Sequence, residues 1–156
     1  MANLNLNVQL KDIEKVNYAF SQAPLKLGIE IQKSLKLIGY RVQRLAKQNA
    51  PKDTGVLVNR IDVEAQPLKV IVASKANYSV YVHEGTKPHY PPIDKIKGWS
   101  KRHGINPYLV ARGISKNGTK ANPFMKDALE ESTSYAEDKL NSALEIVLDD
   151  IAKNAS

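Results

Sequence analysis

The sequence predicts an α+β fold, with a small antiparallel sheet packed against two long helices and a short helical insertion. Three observations lead there. Apolar residues recur at helical spacing from Leu27 to Leu45. Two alternating segments flank Gln66-Pro67, and a second helical run follows Asn122-Pro123.

Residues 3–10 alternate Leu4, Leu6, Val8 and Leu10 with amides, the pattern of a half-buried strand. Residues 12–20 fit a short helix that Ser21 to Pro24 punctuates. The long helix then runs from Leu27 through Ile31, Leu35, Ile38 and Val42, and Pro51 requires it to stop near Asn49-Ala50. Segments 57–65 and 68–74 read as the strands of a hairpin, and 77–84 is too short for periodicity to choose between helix and strand. Ile93, Ile96 and Trp99 share a helical face that ends near Gly104. Asn106-Pro107 is an N-cap followed by Pro at the first helical position, and the helix it starts closes at Ser115 to Gly118. Asn122-Pro123 repeats that start signal for a final helix with Met125, Leu129, Ala136, Leu140, Ala143 and Val147 on one face. Phe124 and Met125 are read as core, and residues 112–122 as a loop poor in apolar side chains.

The chain has 156 residues and no cysteine, which excludes disulfides, thiolate metal sites and cysteine nucleophiles. This length suits one domain over residues 1–156, with 91–122 as a basic helical and loop insertion. No apolar run approaches the ~20 residues of a membrane helix, and the N-terminal residues do not read as a signal peptide. The formal net charge is +7, unevenly spread. Residues 91–122 hold seven basic groups against one acid, whereas 123–156 hold eight acids against three basic groups. Such poles suit either a polyanion or contacts between copies of the chain that set the register of an assembly.

Catalytic chemistry is hard to locate. His83, His89 and His103 lack metal-ligand spacing and read as solvent-facing. Gly118-Thr119-Lys120 lacks the order of a phosphate loop, and Asp149-Asp150 and Glu130-Glu131 diverge as sequence neighbours on a helix. We therefore expect no enzyme, no cofactor and no metal. Lys95, Lys97, Lys101 and Arg102 around Trp99 leave a basic nucleic-acid-binding module as the alternative. No groove-reading motif accompanies them, so DNA contact is expected to be transient.

Three blocks carry a resemblance. They are Ala50 to Leu57 (Ala-Pro-Lys-Asp-Thr-Gly-Val-Leu), Tyr78 to Thr86, and Gly118 to Met125. In this order they resemble the minor tail-component family of long-tailed double-stranded DNA phages, also called tail-completion or head–tail joining proteins. After Leu57 the chain departs from the family pattern, with Val58-Asn59-Arg60 intervening. The resemblance implies a structural virion protein made in the host bacterial cytoplasm. It implies self-assembly into a ring, a hexamer, between the tail tube protein and head connector or portal-associated proteins, with no membrane partner. Asp53, Thr54 and Gly55 read as a structural turn. The assembly candidates are Tyr78, Tyr81, Gly85, Thr86, Trp99, Arg112, Lys116 and Lys120. The tyrosines and Trp99 offer large contact area, and the three cations suit an acidic surface on a partner.

Overall fold

The computed structural model describes residues 10–155, and the order of elements is α+β as expected. Helix α1 spans Leu10–Asn49, α2 Val56–Asn59, β1 Ile61–Gln66, β2 Lys69–Ser74 and α3 Ser79–Glu84. Helix α4 spans Ile93–Arg102, α5 Pro107–Asn117, α6 Phe124–Glu130 and α7 Thr133–Ala155. The expected strand over 3–10 falls on residues 3–9, which lie outside the described residues, and on Leu10, the first residue of α1.

Several expectations need correction. Residues 12–20 are not a separate helix, because α1 runs unbroken through Pro24. Pro24 is exposed, so a carbonyl that loses its amide partner there can bond to solvent. Residues 57–59 are helical, not strand. Gly55 starts that turn, the Asn59 amide donates to the Gly55 carbonyl at 2.9 Å, and Leu57 and Ile61 are both buried four residues apart. The departure at Val58-Asn59-Arg60 thus coincides with this helical turn. Leu68 is not a strand residue either. Pro67 and Leu68 form the two-residue turn of the β1–β2 hairpin, with Leu68 at φ 57° and 63% exposed.

The expected single final helix is two. Helical residues stop at Glu130 and resume at Thr133, with Glu131 and the buried Ser132 between them. Within α6 the buried face is one residue out of step with the expected one: Phe124 and Ala128 are buried, Met125 is half-buried, and Leu129 is exposed. Asn122 does not cap α6 with its side chain, and helix residues begin at Phe124 after Pro123. Asn106 does cap α5, accepting from the Tyr108 amide at 2.9 Å, with Pro107 at the first position. The segment 112–122 is not simply a loop, since residues up to Asn117 complete α5.

The chain forms two compact units. One holds the described residues 10–40, 64–71 and 132–155. In it α1 packs against α7: the Ser34 hydroxyl donates to the Lys139 carbonyl at 3.0 Å, and Lys26 pairs with Asp150. The register of these two contacts makes the helices antiparallel. Ala19, Ser34, Ile38, Ala143 and Val147 are buried. Small side chains at such positions allow close approach of helix backbones.

The other unit holds residues 41–63 and 72–131. Val42, Ala46, Ala50, Leu57, Ile61, Ala111, Phe124 and Ala128 are buried in it. Gln43 Nε2 donates to the Ile61 carbonyl at 2.6 Å, tying the end of α1 to the start of β1. Helices α4 and α5 pack on each other.

A leucine held at positive φ costs ~1–2 kcal/mol, and Leu68 makes no compensating burial. Leu68→Asn should therefore stabilise the protein by about 0.5–1 kcal/mol. A urea titration showing an unchanged or lower midpoint would contradict this account of the turn.

Candidate interaction groove

Two Gly-Thr pairs organise the second unit. Helix α3 ends at Gly85 (φ 73°), and α5 ends at Gly118 (φ 69°). Each glycine is followed by a threonine, and Thr86 and Thr119 form an antiparallel bridge. The Thr86 amide donates to the Thr119 carbonyl at 3.2 Å, and the Thr119 amide donates back to the Thr86 carbonyl at 3.1 Å. The two hydroxyls also bond at 3.0 Å. Nearby, the Asn122 amide donates to the Val82 carbonyl at 2.9 Å.

This approach requires the glycines. A Cβ on Gly85 would lie 2.4 Å from the Thr119 carbonyl oxygen, and one on Gly118 would lie 1.9 Å from the Thr86 carbonyl oxygen. Both glycines also hold φ values that other residues avoid.

Beside the clasp lies a groove of about 1360 Å³. Tyr78, Tyr81 and Val82 from the start and middle of α3 contribute to one wall, and Ile96 and Trp99 from α4 to another. Ile114, Thr86, Thr119 and the 120–123 segment also line it, with Lys87, Lys120 and Asp127 as its charged groups. Tyr78, Tyr81 and Trp99 are 43%, 63% and 38% exposed, so none of the three is a core aromatic. The Trp99 ring stacks on His103 with centroids 4.2 Å apart.

The structure thus brings Tyr78, Tyr81, Thr86, Trp99 and Lys120 around one groove. Gly85 supports it from the clasp. Arg112 and Lys116 are exposed on α5 and do not line it. Lys87, Ile96, Ile114 and Thr119 were missed as lining residues. The repeated Gly-Thr dipeptide was the available signal for Thr119, because identical turn chemistry ends two helices.

The Asp53 to Gly55 turn sits at the start of α2, where Gly55 has φ 79°. Thr54 is exposed there. Asp53 reaches beyond its own turn: Arg102 donates through Nε to Oδ1 at 2.9 Å and through Nη2 to Oδ2 at 2.5 Å. These bonds hold the Asp53 carboxyl below its ordinary pKa of 3.8, with partial desolvation opposing them. Both side chains stay partly exposed, so solvent screens the pair.

Of the histidines, His89 and His103 are exposed as expected, but His83 is not solvent-facing. It is half-buried edge-on to Phe124, with centroids 5.5 Å apart, and its Nε2 is buried with no hydrogen-bond partner among the described residues. The reason is its place on α3, whose side chains line a 200 Å³ cavity together with Phe124 and Met125. No cluster of three or more His, Asp or Glu suited to a metal occurs among the described residues. No described helix is long and apolar enough to cross a membrane.

Residues 19–85 match the family described as "HK97-gp10_like: Bacteriophage HK97-gp10, putative tail-component". No curated protein and no solved structure matches the chain. The matched span contains the first of the three sequence blocks and nearly all of the second, so the resemblance to phage tail components holds over residues 19–85. It reaches Gly85, the first glycine of the clasp.

Gly85→Val should cost more than about 3 kcal/mol of stability, because strained φ and a backbone clash combine, whereas Thr86→Ala should cost about 1 kcal/mol. Equal melting of the two variants would disprove the clasp. For Asp53, a depressed carboxyl stabilises the fold above its ordinary pKa, and the contribution fades as pH falls through the folded value. Asp53→Asn should melt below wild type at neutral pH and converge with it below pH 3.8. Parallel melting curves across that range would show the Arg102 pair to be inert.

Proposed function

We propose that the chain is a structural, non-enzymatic component of a phage virion, assembling into a ring between tail tube and head connector. The match of residues 19–85 to a tail-component family carries this reading. Its assembly part is supported by how apolar side chains are distributed. The buried core is built largely of alanine: Ala19, Ala46, Ala50, Ala76, Ala111, Ala128 and Ala143. Larger side chains lie outward, including Tyr18, Leu25, Tyr78, Tyr81, Trp99, Leu144 and Leu148. Where such side chains converge, as Tyr78, Tyr81 and Trp99 do around the groove, the exposed apolar surface suits contact with another protein.

On this reading the protein works by packing. Rigid subunits sit side by side, and surfaces left over bind the tail tube protein on one side and the connector on the other. Virion localisation follows, after synthesis in the host cytoplasm. Six copies per ring is the stoichiometry we propose.

The decisive measurement uses the phage that encodes the chain. Mass spectrometry of purified particles should detect the protein at a fixed few copies per virion. Deleting its gene should leave full heads and tails that fail to join. Particles that lack the protein yet remain joined and infectious would refute the reading.

A further inference from the structure

We infer that the groove of one copy receives the acidic, leucine-bearing face of helix α7 from a second copy. The inference rests on the self-assembly reading above and names the surfaces that would make it.

The groove constrains its occupant by size, polarity and charge. Its volume of about 1360 Å³ exceeds the ~300–1,000 Å³ of small-molecule sites, which favours a polypeptide segment. Aromatic and aliphatic side chains, Tyr78, Tyr81, Ile96, Trp99 and Ile114, supply much of its lining. Lys87 and Lys120 outnumber Asp127 among the charged lining groups. The neighbouring helices α4 and α5 add Lys95, Lys97, Lys101, Arg112 and Lys116, with Asp94 as their acid. A fitting partner therefore has an apolar stripe with acids beside it.

Helix α7 has that form. Leu140, Leu144 and Leu148 stand at successive four-residue steps and are 40%, 47% and 54% exposed. They lie along one flank of the helix over ~12 Å. The face that packs within its own unit, marked by the buried Ala143 and Val147, borders the stripe at Leu140, and Leu144 and Leu148 turn progressively away from it. Glu145 and Asp149 each follow a stripe leucine by one residue, and Glu137 precedes Leu140 by three. The whole helix carries five acids against two lysines. An amphipathic helix laid into an apolar groove is a recurrent recognition mode, anchored by residues at such spacing. Opposite charge at the edges would set its register. Groove and α7 are different surfaces, so each copy gives one and receives one, and a head-to-tail contact of this kind closes into a ring or extends into a filament.

The test uses the full-length protein and two double variants. Lys87→Glu with Lys120→Glu reverses the groove, and Glu145→Lys with Asp149→Lys reverses the helix. All four positions are exposed and have no ion-pair partner among the described residues, so circular dichroism of both variants should match wild type. Sedimentation should show concentration-dependent association of the wild type. Trp99 is the chain's single tryptophan and lines the groove, so its emission should shift to the blue over the same concentration range. Each double variant alone should associate about tenfold or more weakly, because like charges then face each other. An equimolar mixture of the two should recover association, since every junction is then complementary. A wild type that stays monomeric, a variant that assembles like wild type, or a mixture that fails to recover would each overturn the proposal. If any of these occurs while the chain is still found in virions, this interface is wrong and the tail-component reading stands.

Discussion

Two amide–carbonyl exchanges between Thr86 and Thr119 hold the groove-bearing unit in shape, and they exist because positions 85 and 118 lack side chains. The pairing closes a chain segment whose ends are 33 residues apart in sequence. Closing a loop of that length costs entropy that two hydrogen bonds alone would not repay. Packing inside the loop adds to them: α4 and α5 pack on each other, and Ala111 of α5 is buried. The groove is therefore a product of topology. Its walls come from elements that the clasp brings together, and the Asn122 amide bonded to Val82 continues the same seam.

Signals were legible where one local interaction decided the outcome. Asn106-Pro107 predicted the start of α5 because the cap and the first-turn proline are contained in neighbouring residues. The same dipeptide at Asn122-Pro123 marked the start of α6 to within a residue but not its cap, because the Asn122 backbone is engaged by Val82, forty residues upstream, and its side chain does not cap the helix. The short helical turn at Val56–Asn59 was hidden by a similar conflict, since valine, leucine and valine in a row favour strand until Gly55 sets a turn before them. Aromatic groove residues could be picked out by type. Their convergence could not, because it depends on a clasp between distant glycines.

Counting charges by segment overstated the free positive field of the insertion. Arg102 is committed to Asp53, and in the other unit Lys26 is committed to Asp150, whose carboxyl is held below its ordinary pKa mainly by that lysine. Lys95, Lys97 and Lys101 remain exposed on α4. What is left is a moderate basic surface beside an apolar groove. On the self-assembly reading proposed above, that combination suits a protein partner with acidic edges.

Pro24 divides α1 in a way that its continuous backbone conceals. With no amide at position 24, the ladder of bonds along this 40-residue helix lacks one rung about a third of the way along. Between residues 13 and 20, Ala19 is the one buried side chain, so little tertiary packing holds the turns that precede the gap. Local opening of those turns breaks few contacts, whereas the turns after Pro24 are tied through Lys26, Ser34 and Ile38 to packed surroundings. Amide hydrogens in this one helix therefore belong to two exchange regimes: fast deuterium uptake before the proline, and slow uptake, coupled to opening of the α1–α7 pair, beyond it.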